Sequence, residues 1–144
     1  MKRSIAAIAI GCAALAGCGA SVDPLAQKAC TLLATASNDV DVSLSKWVAE
    51  GKPTTSASRE NLKYFVKLRP GRIQDAYDTA PQILMTEFRD VNQMAELVDR
   101  EPTDQQAQVA LILSTGTAQK ACVAQGVPMQ KYDSDAGKLV DVEG

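Results

Sequence analysis

The chain has no histidine among its 144 residues. Ser-His-Asp and Cys-His catalytic sets are therefore excluded, and so are zinc sites that use imidazole. Only carboxylate, lysine, tyrosine or Ser-Lys chemistry remains open to an enzyme built from this sequence. Aromatic residues are only 4% against 46% hydrophobic residues in all, so any core is aliphatic and rich in alanine. Small alanine side chains suit closely packed helices better than a β-sandwich, whose strands favour β-branched and aromatic residues. Basic charge is not in excess either. Lys and Arg number 15 and Asp and Glu 17, for a formal net charge of −2. A nucleic-acid-binding domain presents a basic face, so no nucleic-acid partner is expected. Gly-rich phosphate loops, Walker sequences, CxxC pairs and EF-hand patterns are all missing. No cofactor or metal is expected from these residues, and no catalytic centre. No apolar run approaches the roughly 18 to 20 residues that span a bilayer.

The first residues are the most informative. Lys2-Arg3 gives a basic start, Ile5 to Ala16 is apolar, and Leu15-Ala16-Gly17-Cys18 closes the segment with small residues. This is the layout of a secretory signal. The cysteine directly after Leu-Ala-Gly closely resembles the lipobox of bacterial lipoproteins. That resemblance implies a diacylglyceryl group on the Cys18 thiol, loss of residues 1–17, and anchoring at the extracytoplasmic face of the cell membrane. Lys2 and Arg3 leave with the signal, so the mature balance is 13 − 17, or −4. Residues 18–23 form the lipidated cysteine and a short tether. At roughly 3.5 Å per residue the tether reaches less than about 20 Å, which keeps the domain close to the bilayer.

In that compartment the cysteines sort themselves. Cys12 leaves with the signal and Cys18 carries lipid. Cys30 and Cys122 remain, an even pair in an oxidising space with a single intramolecular connectivity. The alternative is two unpaired buried thiols. A Cys30–Cys122 disulfide would close a loop of 122 − 30 = 92 positions.

Residues 24–126 read as one helical domain. Asp23-Pro24 opens a helix, with Asp as cap and Pro at the first position. Leu25, Ala29, Leu32 and Ala36 fall on one stripe, with Ala26, Cys30 and Leu33 beside it. Ser37-Asn38-Asp39 can cap a second helix or lie within a continuous first one. The alternation from Val40 to Ser45 also permits a strand. Trp47 suits a core or groove position, and a ligand platform is the other reading. Residues 51–56 form a loop by turn chemistry.

The spacing predicts a helix over 57–68, with Leu62, Phe65 and Val66 inward. Arg69-Pro70-Gly71 ends or kinks it, and Ile73, Ala76, Tyr77 and Ala80 resume the pattern. Thr79-Ala80-Pro81-Gln82 has the form of a capping box. Behind it Leu84, Phe88, Val91, Ala95 and Val98 make the clearest stripe in the chain, with Met85 and Met94 as flanking gap-fillers. Thr103-Asp104-Gln105-Gln106 is a second capping box, opening a helix to about Gln125. Val109 to Leu113 is apolar on every side, which predicts a central helix. Gly116 within it is expected to let a neighbouring helix approach closely. Residues 127–144 carry many charges and no periodicity, and read as a C-terminal tail that hugs the surface or is disordered. The fold class expected is all-α: an antiparallel bundle of four or five helices stapled by one disulfide.

Candidate chemistry is sparse. The i,i+3 carboxylates Asp75 and Asp78, or Glu96 and Asp99, could hold a cation or move protons, but a solvated helix face explains them as well. Lys63, Lys67, Arg69 and Arg72 form the densest basic cluster, which suits either a solvated face or contact with anionic headgroups. Three functions remain open. One is a non-enzymatic lipoprotein that binds an envelope protein or a small ligand. Its expected contact surface is the outer face of the helices between Ala57 and Arg100, including Tyr64 and Tyr77 if these are exposed. Another is a superinfection-exclusion lipoprotein, because small Ala-rich helical lipoproteins with one disulfide resemble those of high-GC bacteria and their temperate phages. The third is a histidine-free envelope enzyme.

Overall fold

The computed structural model describes residues 21–144. The predicted signal at 1–17, the lipid-bearing Cys18 and the first part of the tether lie outside the described residues. Four helices follow one another: α1 (Pro24–Ala49), α2 (Ala57–Thr79), α3 (Met85–Arg100) and α4 (Gln105–Ala124). A short 3-10 turn, Gln82–Leu84, leads into α3, and a hairpin of β1 (Gln130–Asp133) and β2 (Lys138–Asp141) ends the chain. Each helix packs on the next in sequence, and α4 returns to α1, so the four close into an up-and-down ring. The α1–α4 seam is the sparsest of the four.

Helix α1 starts as the sequence predicts. The Asp23 carboxylate accepts from the Leu25 amide at 2.9 Å, and Pro24 takes the first helical position. The helix then runs unbroken for 26 residues. Ser37 starts no new helix because its hydroxyl donates back to the Leu33 carbonyl at 3.1 Å, as Thr31 and Thr35 do to the carbonyls four before them. Asn38 reaches the C-terminal hairpin instead: its amide donates to the Gln130 carbonyl at 2.9 Å, and its Oδ1 is buried without a partner among the described residues. Trp47 is half-buried, and its indole donates to the Pro53 carbonyl at 3.1 Å, pinning the α1–α2 loop.

Helix α2 is also continuous and passes through Pro70. Proline leaves the carbonyl four residues back without its partner. That residue is Val66, which is exposed rather than inward, so water can serve the freed group. No capping box forms at Thr79. It is the last residue of α2, and Gln82 opens the 3-10 turn with no side-chain cap. The α3 stripe is as predicted, with Leu84, Phe88, Val91, Ala95 and Val98 all buried. Asp104, not Thr103, caps α4, accepting from the Gln106 and Ala107 amides at 2.8 and 3.2 Å.

Larger expectations are corrected as well. Helix α4 is not central: Val109, Ile112 and Leu113 are 54%, 70% and 66% exposed. A ring of four gives α4 only two neighbours, α3 and α1, so one side of an apolar helix is left outside. Of the two readings of residues 127–144, the tail is ordered against the bundle and not disordered, and its hairpin means that the fold is not purely α. Val127 and Met129 are buried in the core, and the hairpin pairs Gln130 with Asp141 and Asp133 with Lys138. Its turn is held by the Asp133 carboxylate, which accepts from the Asp135 and Ala136 amides at 2.9 Å. The Ala136 and Asp135 amides hold that carboxyl below its usual range.

Candidate functional site

Cys30 and Cys122 are fully buried and joined, with S–S 2.03 Å and Cα atoms 5.9 Å apart. The bridge ties the first helix to the last and sets their register. Ser37 and Thr115 each lie seven residues from it (37 − 30 and 122 − 115), and Asp41 and Leu111 each lie eleven (41 − 30 and 122 − 111). At 1.5 Å per residue, eleven residues is about 16 Å of helix. Over that length α1 and α4 stand apart, and these four residues line a cleft of about 290 Å³. Helix α2 contributes Arg69 and Ile73 to it, and β1 contributes Lys131 and Tyr132. The hairpin is clamped to α1 beside the cleft at two points, by Asn38 on Gln130 and by a 2.5 Å hydrogen bond between the Tyr132 and Ser45 hydroxyls.

The cleft is lined by polar and charged groups from all sides. Gln119 lines it at only 5% exposure, and its carboxamide offers two donors and an acceptor oxygen there. Asp41 and Arg69 attract one another without closing to a contact ion pair. Lost hydration pushes the Asp41 carboxyl above its ordinary value, and Arg69 offsets this only in part. The same loss lowers the Arg69 guanidinium, with Asp41 opposing. Arg72, one turn on, is already committed. It pairs with Asp39 at 2.5 Å and lies 5.6 Å over the Phe65 ring.

Gly116 also lines the cleft, and a Cβ placed there would meet nothing within 4 Å. It therefore serves no close helix approach, contrary to the sequence expectation. A glycine inside a helix costs about 1 kcal/mol relative to alanine, and here the missing side chain leaves the cleft open. Gly116→Ala is expected to raise the unfolding free energy by about that amount, measured by urea titration. A loss of stability would mean that the backbone there is not free to carry a side chain.

Other predicted residues lie elsewhere. Tyr64 is 58% exposed with its ring edge-on to Phe65, whereas Tyr77 is half-buried against the core. They are 13 residues apart (77 − 64) on α2, about 20 Å along its axis, and do not make one patch. The basic cluster is divided: Lys63 pairs with Glu60, Arg72 with Asp39, and Arg69 faces the cleft. Asp78 accepts from Gln74, and Asn92 donates to Gln74 and Glu96 at 2.8 and 3.2 Å, so two of the predicted carboxylates belong to a polar network between α2 and α3. Among the described residues no three acidic or cysteine side chains gather as a metal site, and no helix is long and apolar enough to cross a membrane.

Asp41, Gln119, Lys131 and Tyr132 were not singled out from sequence. Gln119 had a signal: it is polar, yet sits three residues before Cys122 and four after Thr115, on the inward side of α4. Comparison with family models, curated proteins and solved structures gave no match to this chain.

Proposed function

We propose that the protein is a lipid-anchored envelope lipoprotein that works by binding, with no catalytic centre of its own, and that the cleft between α1 and α4 is its binding site. The resemblance of Leu15-Ala16-Gly17-Cys18 to a lipobox supports the anchor. The observation that carries the binding site is the cleft's lining, where Gln119, Asp41, Arg69 and Lys131 from four elements meet around one opening. Asp41 and Arg69 add opposite charges at the same place, and Gly116 leaves it open. Anchoring confines the domain to a thin layer, where a partner in that layer meets it at raised effective concentration and modest affinity suffices. The cleft replaces the outer face of α2 and α3 as the contact surface, since Tyr64 and Tyr77 do not share a face.

Site-specific photocrosslinking in the native envelope tests this. A photoreactive residue at Thr115, on the cleft wall, is expected to give one dominant adduct, resolved by mass spectrometry, and the same residue at Tyr64 is not. The reverse pattern would return the site to the outer face of α2. Turnover of an envelope substrate by the purified protein, abolished by Asp41→Asn with the fold intact, would replace binding by catalysis.

A further inference from the structure

We infer that the cleft takes a short zwitterionic peptide, about two residues long, with an aliphatic side chain. The inference rests on the reading of the cleft as the binding site. Four observations converge on this ligand class.

The first is the separated pair of Asp41 on α1 and Arg69 on α2. A ligand with an ammonium group and a carboxylate completes both. A ligand with only one charge would pair with one of them and be repelled by the other. Lys131 at the same cleft makes the lining two cations to one carboxylate, which disfavours a purely cationic ligand. The second is Gln119. Its carboxamide presents a donor and an acceptor side by side, the complement of the C=O and N–H of a peptide bond. A free amino acid has no such bond to offer.

The third is the apolar lining. Ile73 and Leu111 are buried at the cleft, and Ile112 stands exposed at its rim, so an aliphatic side chain finds contact on both α2 and α4. The fourth is size. About 290 Å³ lies at the lower end of small-molecule sites, which run from roughly 300 to 1,000 Å³. At about 30 Å³ per water it displaces on the order of ten waters. That is too little for a nucleotide or a long acyl chain, and more than a single amino acid fills. Gly116 maintains this volume, since a side chain there would project into open space.

Isothermal titration of the full-length lipidated protein in detergent micelles tests the inference with four probes: the dipeptide Leu-Leu, N-acetyl-Leu-Leu, Leu-Leu-amide and free leucine. Leu-Leu is expected to bind. Acetylation, amidation, or loss of one residue should each weaken binding at least tenfold. Asp41→Asn should weaken Leu-Leu about tenfold but leave N-acetyl-Leu-Leu unchanged, and Arg69→Gln should do the same for Leu-Leu against its amide. Gly116→Met should abolish binding of Leu-Leu without lowering the midpoint of thermal unfolding, which separates a filled cleft from an unfolded protein.

Capped dipeptides binding as tightly as Leu-Leu would overturn the zwitterion. Free leucine binding as tightly would overturn the peptide and assign the cleft to an amino acid. If no probe binds at millimolar concentration while the Thr115 crosslink persists, this inference fails and the binding site stands. If the Thr115 crosslink is absent as well, both fail.

Discussion

Replacing Cys30 and Cys122 together by alanine is expected to lower the unfolding free energy by several kcal/mol, with about 4–5 kcal/mol as the chain-entropy upper bound. The bridge has a sequence separation of 92, and the loss of loop-closure entropy in the unfolded chain grows with the logarithm of loop length. A domain of this size has only about 5–15 kcal/mol in all, so about a quarter or more of its stability rests on one bond. The architecture points the same way. Short connections hold α1 to α2, α2 to α3 and α3 to α4, but none holds α4 to α1, where the seam is sparsest. Both sulfurs are fully buried, so truncation also leaves a void, which adds to the loss.

Urea titration of the double variant checks this and tests the cause. If the bridge acts on the unfolded chain, its removal lets that chain expand and the m-value rises along with the fall in stability. A loss below about 1 kcal/mol with an unchanged m-value would show that the bridge merely decorates a seam held by packing. The cleft should suffer with the bridge. Ser37 faces Thr115 and Asp41 faces Leu111 only because the bridge fixes the register between α1 and α4, so binding should weaken even where the variant remains folded.

What the sequence reveals differs sharply between elements. The stripe Leu84, Phe88, Val91, Ala95 and Val98 is legible because a helix with one apolar face has one way to turn. Helix α4 has no such contrast around Val109 to Leu113, and composition could not say that two neighbours, not four, would surround it. Ser37-Asn38-Asp39 shows a similar ambiguity. The same residues cap a new helix or bond back into an old one, and the choice lies in hydroxyl geometry. The hairpin escaped notice because its strands are four residues each, too short to set up an alternation. The disulfide needed only the compartment and the count.

The cleft was the least legible part. Asp41, Arg69, Gln119 and Tyr132 come from four elements and meet only after the ring closes. Gly116 stood out in the sequence for its cost, but not for its purpose. Spacing along one helix cannot distinguish a glycine that admits a neighbour from one that leaves a space.

Cys18→Ser is expected to move the protein from the membrane fraction to the soluble fraction almost entirely. A single acyl chain gives only marginal, reversible attachment, on the order of 10⁴ M⁻¹, whereas two chains hold stably. The diacylglyceryl group implied by the lipobox resemblance supplies two at once, so losing it is close to all-or-none. Metabolic labelling with a fatty-acid probe should mark the wild-type protein and not the variant. Wild-type protein found soluble and unlabelled would remove the lipoprotein reading. The folded domain itself should be unaffected, because α1 begins only at Pro24 and the Cys30–Cys122 bridge lies within the bundle. Thermal unfolding of the two proteins should therefore coincide, as should their affinity for a ligand of the cleft in solution.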